Sequence, residues 1–168
     1  KYRAHMDFRL SEVAVGSYAL SGAYGTKDVK EFKRMLRRAY ELGVNLFDTA
    51  EAYGDAEQIL GKAIEPFRHK VYVATKVGVR RGIKPDLSRS YIKKACEESL
   101  KRLGTDYIDL YQIHFNDPDT PVEETVGALE ELMCEGKIRR YGLGHLPLHR
   151  VEAYLKVGNV FSCLLYTS

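Results

Sequence analysis

The sequence predicts an α/β fold, a parallel sheet with helices packed on it, and three observations carry that prediction. Short β-branched runs alternate strictly with amphipathic helical stretches, giving about five and a half β–α units in the 168 residues. The connections are short, with no linker and no low-complexity segment. The first strand is followed by LSGAYGTK, which holds neither G-x-G-x-x-G nor G-K-[ST]. The glycine-rich phosphate loop usual in an open doubly wound sheet is therefore missing. The competing architecture, a (β/α)8 TIM barrel, gathers its chemistry at the C-terminal ends of several strands.

Each element has its own local reason. SEVAVGSYAL (Ser11–Leu20) reads as the first strand. The helix after it carries Val29, Phe32, Leu36, Ala39 and Tyr40 on one face and stops at Gly43. NLFDTA is the second strand; Asp55 is then expected to cap AEQILGKAI, with Gln58 in the capping-box position. VYVATKVG (Val71–Gly78) is the third strand, and Ser88 opens a helix through Ile92, Ala95, Cys96, Ser99 and Leu103 that ends at Gly104. DYIDLYQIH (Asp106–His114) is the fourth strand. Thr120 as N-cap, Pro121 in the first turn and Glu123 in the capping box predict the next helix, which buries Val126, Leu129, Leu132 and Met133 and ends at Gly136. IRRYGLGH is the fifth strand, LHRVEAYLKVG the fifth helix and NVFSCLL the sixth strand.

Composition narrows the class. The chain is 45% hydrophobic and 29% charged, with a net charge of +3 and no block of like charge. Nothing in that pattern predicts a nucleic-acid tail or a membrane patch, and no apolar run is long enough to span a bilayer. Cys96, Cys134 and Cys163 are odd in number and scattered, which argues against a disulfide framework and for a cytoplasmic location. Cys96 and Cys134 are expected to be buried on helices.

The strand ends carry the chemistry. Strand two ends at Asp48, strand three at Lys76, strand four at His114 and strand five at His145, with Tyr53 in the loop after strand two. Neighbouring parallel strands lie about 4.8 Å apart, so Asp48, Lys76 and His114 converge on one pocket mouth. A free tyrosine ionises near about pH 10 and is a poor proton donor at neutral pH. An adjacent ammonium lowers that value, and a carboxylate holds the ammonium in place and charged. A histidine can orient a carbonyl oxygen, so the set suits general-acid catalysis on a carbonyl. Each residue alone has a duller explanation, as a turn cap, a solvated lysine or a structural imidazole. Their joint placement argues for a site. Tyr18 and Tyr24 are further candidates for the pocket wall, and Asp109 reads as a structural acceptor. His5, His69, His149 and the Arg80–Arg81–Lys84 group read as solvated.

NLFDTAEAYG, VYVATKVG and YIDLYQIH, together with EESLKRLGTDYIDLY, DPDTPVEET and EGKIRRYGLG, resemble the aldo-keto reductase family over about Arg9 to Ser162. The resemblance implies a (β/α)8 barrel that binds NADPH, or NADH, and reduces an aldehyde or ketone to an alcohol. It casts Tyr53 as proton donor, Lys76 as the cation that lowers its pKa, Asp48 as the partner of Lys76, and His114 as the residue that orients the carbonyl. Many members have Ser-Asn after strand five to hold the nicotinamide carboxamide; here Gly144 and His145 occupy that place as the cofactor-binding candidates. Phe115 stands where many members have tryptophan.

The family barrel needs eight units, so the expectation is a barrel domain (1–162) truncated after about strand six. Residues 163–168, CLLYTS, are what TGTCTCTTATACACATCT encodes, which resembles a transposon-end adapter. They are expected to be a non-native tail, the alternative being that CLL continues strand six. Open sheet edges predict that the 168-residue chain is poorly folded or self-associates and turns over little substrate. Two other functions remain open. One is a non-catalytic cofactor-binding regulatory subunit of the same fold. The other is a metal-dependent TIM-barrel hydrolase using Asp48, His114, Asp117 and His145. The expected partner is a small carbonyl compound, and the sequence does not fix the oligomeric state.

Overall fold

All six strands run parallel and lie in chain order, β1-β2-β3-β4-β5-β6. An open doubly wound sheet reverses its strand order at a switch point. A sheet that adds each new strand to the same side curls toward a barrel. The computed structural model describes residues 8–79 and 84–164. The strands are β1 (Ala14–Gly16), β2 (Leu46–Asp48), β3 (Tyr72–Val77), β4 (Ile108–Ile113), β5 (Ile138–Gly144) and β6 (Ser162–Leu164). Between them run α1 (Val29–Glu41), α2 (Ala56–Ile64), α3 (Arg89–Leu103), α4 (Val122–Cys134) and α5 (Leu148–Val157), and together they form a curled half-barrel with outer helices. Arg80, Arg81, His5 and residues 165–168 lie outside the described residues.

β3, β4 and β5 are the long strands, β5 the longest at seven residues. β3 and β4 are six residues each and almost wholly buried, as near-continuous apolar runs in a covered parallel sheet should be. β1 and β6 are three residues each and largely exposed. On the helix side, Val73, Val77, Tyr111, Ile113, Tyr141 and Leu143 pack against Ile59, Leu60, Ile92, Leu129 and Tyr154 in one core cluster. Each such side chain contributes about 1.5–3 kcal/mol by leaving water. Gly61 fixes how closely α2 and α3 can approach, because a Cβ there would meet the Leu103 carbonyl oxygen at 2.2 Å.

Several predicted boundaries shift for identifiable reasons. The first strand stops at Gly16, not Leu20; Tyr18–Ser21 turns into a 3₁₀ helix closed by Leu20 N–H donating to the Ser17 carbonyl at 2.9 Å. Asp55 occupies the N-cap position of α2 but caps nothing with its side chain, because its carboxylate pairs with Lys27. Thr120 does not cap α4: its hydroxyl donates to Asp117 at 2.6 Å, and Pro121 takes the N-cap position. Asp28 and Ser88 do cap their helices, accepting from Glu31 N–H at 2.9 Å and Tyr91 N–H at 3.4 Å. Cys96 is buried as expected, whereas Cys134 is exposed on α4.

Candidate active site

The alternation of side chains along a strand decides which residues reach the inside of the curl. Asp48 pairs across to Ala74, and Lys76 to Gln112 one layer further along. Lys76 is therefore two residues nearer the C-terminal end than Ala74, in the layer into which the β2 carboxylate reaches. His114 follows β4 directly, and its N–H donates to the Val77 carbonyl at 2.9 Å, which extends the ladder by one step. Tyr53 sits on the turn after β2, where Tyr53 N–H donates to the Ala50 carbonyl at 3.1 Å. Glu51 braces that turn against the next strand by accepting from Gly78 N–H at 2.8 Å and the Tyr91 hydroxyl at 3.0 Å.

The Lys76 ammonium is 2% exposed and donates to both oxygens of Asp48, at 2.5 and 2.6 Å, and to the Thr49 carbonyl at 3.0 Å. Three acceptors match its three protons, which is what a buried ammonium requires. The same nitrogen lies 5.5 Å from the centre of the Tyr53 ring. Burial raises the Asp48 carboxyl above its ordinary value, against the opposing pull of Lys76.

Tyr53 departs from expectation. Its phenol is not lowered: burial, then the Asp48 carboxylate, then Tyr18 push it up to about 12. The cation that was to lower it is held by Asp48, whose negative charge faces the same ring. His114 moves the other way. Burial, with Lys76 and His145 nearby, lowers its imidazole to about 4, so it is neutral at neutral pH. Its Nδ1 is buried without a hydrogen-bond partner among the described residues.

Tyr53, His114 and His145 open onto one cavity of 570 Å³, walled by Tyr18, Tyr24, Ala52 and Phe115. Tyr18 and Tyr24, predicted as wall residues, are there. So is Phe115, whose ring stacks on His114 at 4.6 Å and on His145 at 5.3 Å, the two imidazoles being 6.2 Å apart. Gly144 lies one residue back, and a Cβ on it would meet the Ile113 carbonyl at 3.0 Å, so a bare backbone follows from the closeness of β4 and β5. His145 has φ 37°, the one non-glycine residue with positive φ among those described. No sequence feature signals that strain, which turns its imidazole toward the cavity.

The metal-site alternative loses its ligands to other work. Asp117 accepts from Leu87 N–H and Asp119 N–H at 2.9 Å and from the Thr120 hydroxyl, while Asp48 is engaged by Lys76. Among the described residues no group of three acids, histidines or cysteines is placed to hold an ion. Sequence reasoning also missed Glu57, a fully buried charge on α2 that accepts from Thr75 Oγ1 and Arg102 Nε, each at 2.6 Å. Its partners lie 18 and 45 residues away, so no local pattern announces it.

The Aldo/keto reductase family model matches residues 12–164. The uncharacterized oxidoreductase YqkF of Bacillus subtilis (strain 168) is 41% identical over 169 residues, covering 96% of this chain and 54% of YqkF. The holo form of aldo-keto reductase AKR11C1 from Bacillus halodurans has a TM-score of 0.86 at 39% identity, over 96% of this chain and 55% of that one. The aldo/keto reductase from Klebsiella pneumoniae in complex with NADP and acetate has a TM-score of 0.76 at 33% identity, over 89% of this chain and 50% of that one. The chain spans about half the length of these relatives.

Proposed function

The chain belongs to the aldo/keto reductase family, and from that premise we propose that its full-length protein reduces an aldehyde or ketone to an alcohol with Tyr53 as the proton donor. The observation that carries this is the convergence of Tyr53 and His114 on one cavity, with the Lys76–Asp48 ion pair beside the Tyr53 ring. A nicotinamide cofactor, NADPH or alternatively NADH, supplies the hydride when bound. The cavity fits such a guest: it is walled by the flat rings of Tyr18, Tyr24, Tyr53, His114, Phe115 and His145. Gly144 and His145 hold the nicotinamide end in this proposal, His145 by donating from its imidazole.

The remaining chemistry falls to this chain's own groups. Neutral His114 donates a hydrogen bond to the carbonyl oxygen and adds no charge of its own. Tyr53 remains fully protonated across the neutral range, because its phenol is pushed up to about 12. It then gives its proton only as the oxygen becomes an alkoxide, a far stronger base than a carbonyl. Lys76 does its work at that moment, since the ammonium stabilises the phenolate that the transfer leaves behind. Asp48 fixes where the ammonium stands. Among the described residues no helix is long and apolar enough to cross a membrane. The proposed location is the cytoplasm and the proposed partner a small carbonyl compound.

The test is oxidation of NADPH and NADH by the full-length protein against a panel of aldehydes and ketones, with cofactor binding measured separately. Turnover with at least one carbonyl is expected. Tight cofactor binding without turnover would leave the regulatory subunit as the function.

A further inference from the structure

Tyr18 touches the proposed proton donor without belonging to the expected catalytic set. Its backbone is tied to the strand that carries Asp48: Ser17 N–H donates to the Asp48 carbonyl at 2.8 Å, and Leu20 anchors the 3₁₀ turn in the core at 2% exposure. The Tyr18 ring meets the Tyr53 ring edge-on, with centroids 5.0 Å apart and planes at 71°. The Tyr53 ring also meets His114, at 5.8 Å and 76°. Two nearly perpendicular rings therefore pack on Tyr53. Tyr24 backs Tyr18 in turn, at 5.6 Å and 85°. Edge-to-face contacts of this kind are attractive and orientation-dependent, so a ring held by two of them has a defined plane.

We propose that Tyr18 is a positioning residue: its ring clamps Tyr53 against His114 and so fixes where the phenolic hydroxyl points. The clamp rests on the reading of Tyr53 as proton donor. A wall residue that only bounded the cavity would govern which substrates fit. A clamp governs the proton transfer whatever the substrate. Tyr18 is half exposed, so replacing it removes the contact without opening the core.

The experiment uses the full-length protein and an aldehyde of two or three carbons, which has little side chain for a wall residue to select. Tyr18→Leu is expected to lower kcat by about 10²-fold, the cost of a misplaced reacting group, with KM within about two-fold. Tyr18→Phe keeps the ring and is expected to keep kcat within about three-fold. Because Tyr18 helps to raise the Tyr53 phenol, the basic limb of the kcat profile should move to lower pH in Tyr18→Leu. Unchanged kcat in Tyr18→Leu, a loss confined to KM, or a Tyr18→Phe variant as defective as Tyr18→Leu overturns the clamp. Tyr53→Phe run alongside separates the two claims. Full turnover in that variant removes the donor and the clamp together. A dead Tyr53→Phe with a normal Tyr18→Leu removes the clamp alone.

Discussion

The two ends of the parallel sheet are built from the same ingredients and use them differently. At the N-terminal end, Asp109 of β4 is fully buried and faces two cations, Arg68 at 2.8 Å and Arg139 at 3.2 Å. It also accepts from Val73 N–H at 3.0 Å, and the Tyr107 ring lies between the two guanidiniums, 4.2 Å from each. Arg68 spends further donors on the Val71 and Tyr107 carbonyls. At the C-terminal end, Asp48 has one cation, Lys76, and the aromatic neighbours Tyr53 and His114 line a cavity. An aspartate, a cation and a tyrosine therefore make a strut at one end and the floor of the proposed active site at the other. The difference is how many partners each charge has and whether a phenol and an imidazole are left open to a guest.

Variants at the two ends should separate accordingly. The largest effect is expected from Lys76→Met in the full-length protein: turnover should fall by about 10²–10³-fold, because the phenolate left by proton transfer loses its counter-charge. Steady-state kinetics with cofactor-binding controls measures it. A loss under ten-fold would move Lys76 from chemistry to structure. Asp109→Asn should do the reverse. It leaves two guanidiniums facing a neutral amide, for about 3 kcal/mol of lost stability in a denaturant melt, with kcat per folded molecule unchanged. A catalytic loss at unchanged stability there would erase the contrast.

A further effect, comparable in size, is set by pH. Lowering the His114 imidazole to about 4 means that between about pH 6.5 and 4 the unfolded chain binds a proton that the folded one refuses. Stability therefore falls as pH falls through that window, by about 1.4 kcal/mol per unit from this residue, and levels off below it. Replacing the titrating ring in His114→Gln should flatten this segment of the stability profile. A slope identical to that of the unmodified protein would show that His114 is not buried in its neutral form.

Much of this architecture is written locally in the chain. The helix stripes, the glycine stops at Gly43, Gly104 and Gly136, and the cap Ser88 each depend on residues within a turn of one another, so spacing alone reveals them. The rim residues Asp48, Lys76 and His114 were legible because a charged or polar group ending an apolar run has no packing purpose. What spacing does not carry is competition between partners. Thr120 fits an N-cap pattern but is taken by Asp117, and Asp55 is taken by Lys27. The direction in which the Tyr53 phenol shifts was missed for the same reason. It depends on how deeply Tyr18 and the turn bury the ring and on Asp48 facing it, and those contacts cross between units.

The central claim is that the Tyr53 hydroxyl delivers the proton at the C-terminal rim. Tyr53→Phe in the full-length protein tests it most directly, with single-turnover reduction of an aldehyde and cofactor affinity measured on the same sample. Loss of about 10²–10⁴-fold in the reduction step with cofactor affinity unchanged is the result expected of a general acid. Reduction at the unmodified rate would contradict it.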